Sequence, residues 1–241
     1  MASNESGEHP FAERPPTDAE FERFRLCLST FQDGLGQWKV KSGTLPGWRD
    51  FERTVAELTQ GMGTEDKSIF DVLVAARAPS RLLIGLSCKM RKELSRVGRD
   101  GRVTIELSNS SKKMWECLKE LGISEANYKV HADKVGCGLV NLVKQWHDAA
   151  SKYRGSTVDI ARSSYLALLW NERTGEYRLY QFPLTLPDPS TLEWHFSRSS
   201  RGSGAGGHLN GDHAGGGRVF EWYGESGGQL KYYPLEAEAA W

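Results

Sequence analysis

The chain carries only four cysteines in 241 residues, at positions 27, 88, 117 and 137, with no CxxC pair and no close histidine partner. Neither a zinc site nor a disulfide framework is indicated, and the four read as reduced core thiols. Long apolar runs are missing as well. Nothing approaches the ~18 apolar residues of a membrane span, and the start, MASNESGEHPFAERPP, has neither the basic segment nor the apolar stretch of a secretory signal. These absences predict a soluble, cytoplasmic protein with no membrane partner. Net charge is absent too, since 31 Lys and Arg stand against 31 Asp and Glu, and a zero balance argues against a general binder of polyanions. No internal repeat is found. What is present is 39% hydrophobic and 26% charged residues, too apolar and too little charged overall for a disordered chain and enough for one large domain or two small ones.

Residues 1–16 are polar, hold three of the nine prolines, and are expected to form a disordered or loosely attached tail. From there to residue 241 a single domain is expected. Phe21, Phe24, Leu28 and Phe31 recur at helical spacing behind Thr17 or Asp18 as N-cap, and a second helix is predicted over Trp48–Leu58, with Trp48, Phe51, Val55 and Leu58 as its apolar stripe. Two short apolar runs, Ser68–Val74 and Arg81–Lys89, read as adjacent strands across a turn containing Ala78-Pro79-Ser80. A third strand is expected at 101–107, followed by helices at about 112–121 and 138–153. The last part, from about 156, is β-rich and aromatic. Between Arg201 and Gly217 eight of 17 residues are glycine, which predicts a mobile loop.

The chemistry-bearing residues emerge from alternation. Residues two apart on a strand share a face, so Ser87 and Lys89 project together while Leu86 and Cys88 face the other layer. Asp71 interrupts an otherwise buried run, where a carboxylate needs a counter-charge, a metal or hydrogen bonds, and Lys89 is placed to supply the first. On the helix before it, Glu52 flanks the buried stripe and can look along the sheet edge toward Asp71, whereas Glu57 points away.

A helix with an edge Glu, a strand with Asp and a next strand with a polar-x-Lys pair resemble the PD-(D/E)XK nuclease superfamily, and in particular type II restriction endonucleases. The resemblance implies an α/β (α+β) fold with a mixed central sheet flanked by helices, in α-β-β-β-α-β order. Its catalytic core would span about 48–155, with strand 103–107 and helix 112–121 completing that order, and a β-rich C-terminal part would follow over 156–241. It further implies Mg²⁺ as cofactor, with Asp71 as central ligand, Glu52 as a second acid and a main-chain carbonyl near Cys88 completing the sphere. Lys89 would orient the attacking water and stabilise developing charge. Double-stranded DNA is the implied substrate, and a homodimer the implied form.

The sequence departs from the common motif at Ser87, where an acid is usual. A subgroup of restriction enzymes has Ser there and takes the acid from elsewhere; the candidates are Glu52 first, then Glu106, then Glu93. Charge is segregated in support of a nucleic-acid site: residues 1–75 hold 13 acids and 8 bases, whereas residues 76–118 hold 10 bases and 4 acids. Arg91, Lys92, Arg162, Arg198, Arg201, His208, Asn210 and His213 are the expected DNA contacts. Two other readings compete: a non-catalytic DNA-binding module on the same fold, which Ser87 favours, and a structural protein in which Asp71 and Lys89 form only an ion pair.

Overall fold

Thr17 opens α1 (Asp18–Ser29) with a capping box, its side chain accepting from the Glu20 amide while the Glu20 carboxylate accepts from the Thr17 amide. The computed structural model describes residues 8–41, 43–64, 69–76, 80–108, 110–171, 173–198, 205–225 and 228–241. After α1 come a two-stranded ribbon, β1 (Trp38–Val40) and β2 (Gly43–Leu45), then α2 (Trp48–Thr59), β3 (Met62–Gly63), β4 (Val72–Ala75), β5 (Leu83–Arg91) and α3 (Leu94–Asp100). There follow β6 (Ile105–Ser108), α4 (Ser111–Glu120), α5 (Ala132–Ala149), the short ribbon β7 (Lys152–Tyr153) and β8 (Ser156–Thr157), then β9 (Ser164–Trp170) and β10 (Tyr177–Pro183). Last are β11 (Glu193–Arg198), β12 (Ala205–Asp212), β13 (Arg218–Tyr223) and β14 (Gln229–Tyr232). The fold is mixed α/β, and no described helix is long and apolar enough to cross a membrane.

Two compact units emerge, the first from residues 1–99, 147–184 and 237–241 and the second from 100–146 and 185–236. The first is built on a five-stranded sheet of order β10-β9-β5-β4-β3. β3, β4 and β5 are successive antiparallel neighbours, β9 runs parallel to β5, and β10 returns antiparallel to β9. One sheet face buries Val72, Val74, Ile84, Leu86, Cys88, Leu166 and Leu168 with Phe24 and Leu28 of α1 and Phe51 and Val55 of α2 in one cluster. Each such side chain contributes roughly 1.5–3 kcal/mol through burial, so this cluster fixes which way α2 faces.

The same cluster overturns the expectation for the first sixteen residues. Phe11 is 1% exposed, its ring lies 5.5 Å from Phe24 and 5.8 Å from Trp241, and its carbonyl accepts from Gln181 Nε2 at 3.1 Å. Phe11 and Ala12 therefore belong to the core and tie residues 8–16 to it, and residues 1–7 lie outside the described residues. Trp48 departs from its expected place in the other direction. It is 51% exposed, because the buried stripe of α2 is set by Phe51, Thr54 and Val55 and position 48 lies at its margin.

The second unit holds a sheet of order β11-β12-β13-β14-β6. β6 is thus not the third strand of the first sheet, as expected for 103–107; it pairs with β14, with Glu106 opposite Lys231. α4, expected to complete the nuclease-like core, belongs to this unit as well. Leu209, Phe220, Trp222 and Leu230 form the buried face, and Trp222 packs edge-on against Trp115 of α4 and against Tyr128. The glycine-rich stretch is only in part a loop. From Ala205 it is strand β12, paired on both sides, and Gly211 lies where a side chain would meet the Trp194 ring at 2.8 Å. The charged stretch after Lys92 folds as α3 around buried Leu94 and Val97.

Candidate active site

Asp71 sits one residue before β4, and its position is over-determined by backbone. Its amide donates to Leu86 O at 3.0 Å, and its carbonyl accepts from the Thr64 amide at 2.9 Å. The residue before it is seated by size. Phe70 packs against Gly85, where a Cβ would meet the ring at 2.3 Å. Asp71 Oδ2 accepts the amide of Cys88 at 2.7 Å and stands 3.5 Å from Lys89 Nζ. Ser87, between the same two strands, donates its hydroxyl to Ile69 O at 2.7 Å and brings no charge. The Cys88 side chain turns into the apolar cluster, where burial pushes its thiol well above the usual range.

Glu52 reaches this group from α2. The Gly47 amide donates to Asp50 Oδ2 at 2.8 Å and the Gln37 amide to the same atom at 3.0 Å, which anchors the first turn of the helix. Phe51 and Val55 then bury the adjoining stripe, leaving Glu52 half-buried at its edge. Burial, reinforced by the negative charge of Asp71, pushes the Glu52 carboxyl up to about 7, against the opposing pull of Lys89. Asp71 is raised as well, chiefly by burial and against the pull of Lys89 and the Cys88 amide. Asp71, Glu52, Ser87 and Lys89 therefore gather at one place, as the alternation argument expected. Two acids share one ammonium, so the group retains negative charge when both are ionised. Comparison with protein-family models, with curated proteins and with solved structures returns no match to this chain.

The donor set suits a hard cation. Among the described residues no group of three or more His, Cys, Asp or Glu forms a cage, so the protein offers two carboxylates and leaves the remaining positions to water and substrate oxygens. Mg²⁺ is commonly held in that way. Asp71 also has capacity to spare, because a carboxylate accepts about four contacts and its Oδ2 takes the Cys88 amide and Lys89.

The other expected contacts fare differently. Glu106 is in the second unit. Arg91 is paired with Glu93 at 3.0 Å, Arg162 with Glu13, and Lys92 is exposed. His208 and Asn210 lie on one face of β12 with Asp212, facing Glu221 and Arg218 of β13: Arg218 reaches Asn210 Oδ1 and Asp212 Oδ1 at 2.5 Å, and His208 Nδ1 stands 3.6 Å from Glu221. His195 of β11 adds to this polar face, 3.7 Å from Asp212. His213 is exposed in the turn after β12. Arg198 falls in β11 with its side chain undescribed, and Arg201 lies outside the described residues.

The sequence reading missed His147. Its Nε2 is 2.8 Å from the Tyr165 hydroxyl, and parallel register sets Tyr165 beside Ser87. Burial, with a smaller contribution from the Lys89 ammonium, pushes His147 down to about 4. The signal was available, since His147 continues the row Leu139, Val143 four residues further on.

Proposed function

We propose that this protein is a Mg²⁺-dependent endonuclease of double-stranded DNA, of the PD-(D/E)XK type and similar to type II restriction enzymes. The observation that carries the reading is the convergence of Asp71 and Glu52 beside Lys89, with the Glu52 carboxyl held at about 7 by burial and by Asp71. Two close carboxylates with one ammonium form a site whose ionised state calls for a further cation. The strand order adds support. Helix α2, antiparallel β3, β4 and β5, a crossover that includes α5, and β9 parallel to β5 follow the α-β-β-β-α-β sequence of that superfamily, with β3 in place of the strand first expected.

When bound, Mg²⁺ would neutralise the scissile phosphate and lower the pKa of a water. Asp71 and Glu52 would hold it, Asp71 with its orientation set by the Cys88 amide. Lys89, 22% exposed along its side chain, would orient the attacking water and meet the negative charge that develops on phosphorus-bound oxygen. Neutral His147 and Tyr165 would keep further charge away from the buried side of Lys89. Base reading falls, in this proposal, to the polar face of the second sheet, where His195, His208 and Arg218 stand. A homodimer would match a palindromic site.

A second reading, a DNA-binding module that does not cut, is favoured by Ser87, whose hydroxyl is engaged by Ile69 and gives no carboxylate. Plasmid and phage DNA incubated with Mg²⁺ or Mn²⁺ separate the readings. Discrete fragments from the wild type, lost in Asp71→Asn and Lys89→Ala, establish the nuclease. Binding without cutting establishes the module. No binding to any DNA, methylated DNA included, removes both.

A further inference from the structure

We infer that the solvent face of α2, formed by Trp48, Arg49 and Arg53, is a clamp for the sugar-phosphate strand next to the Asp71 and Glu52 site. The inference rests on the nuclease reading and adds to it the residues that hold the strand.

Three observations carry it. Arg49 and Arg53 are four residues apart on a regular helix, so their side chains stand about 5–6 Å apart at the base, both exposed. Among the described residues neither forms an ion pair. Second, Arg49 Cζ lies 4.8 Å above the Trp48 ring. A guanidinium seated on an indole keeps its N–H fork pointing outward and loses less freedom when it meets a phosphate. Third, Trp48 is a large aromatic with about half its surface in water, one turn ahead of Glu52 on the same row of the helix. Its exposure follows from its place at the margin of the buried stripe, which passes through Phe51 and Val55, and leaves the indole to seat Arg49. Both guanidinium charges act on the Glu52 carboxylate, so the clamp and the acids belong to one neighbourhood. Two positive forks beside two acids solve a conflict: the acids repel the phosphates that the reaction needs, and the arginines offset that repulsion without occupying the cation's place. Trp48 is a positioning residue, acting through Arg49.

The test is the salt dependence of binding to a labelled, mixed-sequence 40-bp duplex in EDTA, where cutting is suppressed. Each lost phosphate contact lowers the log–log slope by about 0.9. Arg49→Gln with Arg53→Gln is expected to reduce the slope by about 2 and the affinity at low salt by tenfold or more. Trp48→Ala is expected to reproduce the loss of Arg49 alone, and Trp48→Phe to restore it. Arg173→Gln with Lys152→Gln, two exposed charges elsewhere in the first unit, is the charge-matched control and is expected to leave the slope unchanged. An unchanged slope in the Arg49, Arg53 variant overturns the clamp, as does an equal drop in the control. If the wild type cuts DNA and the slopes are equal, the clamp fails while the nuclease stands. If the wild type neither binds nor cuts, both fail.

Discussion

The Asp71 carboxylate accepts the amide hydrogen of Cys88 at 2.7 Å, which ties the acid to the residue immediately before Lys89. The acid and the lysine are therefore set relative to one another by backbone, and side-chain freedom enters only through Lys89. Replacing Asp71 by Asn keeps an acceptor for that amide and removes the charge. Asp71→Asn is expected to fold with an unchanged circular dichroism spectrum while plasmid nicking falls by at least about two orders of magnitude. Wild-type nicking by this variant would remove Asp71 from the reaction.

Glu52 ties stability to pH. Burial and the neighbouring Asp71 push its carboxyl from the ordinary 4.5 up to about 7 in the folded chain, so the folded state binds this proton more tightly. Stability is then lost as pH rises from about 4.5 to about 7, by an amount that partial exposure reduces to about 1–3 kcal/mol. Relative to the wild type, Glu52→Gln is expected to gain melting temperature as pH rises from 5 to 8, because only the wild type loses the Glu52 contribution, while His147 acts equally in both proteins. Mg²⁺ is expected to raise the wild-type melting temperature at pH 8 and to do little for the variant. Parallel melting curves of the two proteins across this range would refute the assignment.

His147 acts in the opposite sense. The unfolded chain takes up its proton near pH 6.5, but the buried ring does so only near 4. Stability from this group is complete above pH 6.5 and declines as pH falls toward 4, by up to about 3 kcal/mol. Urea denaturation at pH 7.5 and pH 5 is expected to show a larger loss for the wild type than for His147→Gln. The variant should be weaker at pH 7.5, because the contact between the Tyr165 hydroxyl and the His147 ring is lost.

Gly85 has a role that no polar contact reveals. Any side chain there meets the Phe70 ring, so Gly85→Ala is expected to cost about 1–3 kcal/mol through overpacking and to shift Asp71, which follows Phe70. Cleavage should fall more than stability explains. Phe70→Leu added to Gly85→Ala should recover part of both, and a thermodynamic cycle over the four proteins should show coupling. Additive effects would mean that Phe70 does not transmit the strain.

What the sequence disclosed follows the range of the forces involved. The β-rich character around β9 was legible because Tyr165–Trp170 is a continuous apolar run, and α2 because Phe51 and Val55 mark one face. Asp71 and Lys89 were legible because a charge in a buried run stands out locally. β3 was not, since Met62–Gly63 is too short to show any period, and the destination of β6 depends on pairing with Tyr232 and Leu230 more than a hundred residues away. Phe11 was hidden by the prolines around it, and β12 by glycines that a strand accepts only when neighbours such as Trp194 fill the space. His147 stood in the sequence on the apolar row of Leu139 and Val143, but its place near Lys89 required knowing that Tyr165, which it contacts, would stand next to Ser87.

The parallel pairing of β5 with β9 has a kinetic side. The Gly85 amide meets Ser163 Oγ at 2.8 Å, 78 positions along the chain, and the intervening stretch supplies β6, α4 and most of α5 to the second unit. Closing so long a loop is entropically slow, so the neighbourhood of Lys89 is expected to assemble after the β3-β4-β5 meander rather than with it. Each unit is also discontinuous in the chain. No single backbone cut can therefore release either one whole, and a shortened protein ending before β9 would keep Asp71, Lys89 and His147 but lose Tyr165 and the strand that flanks Lys89.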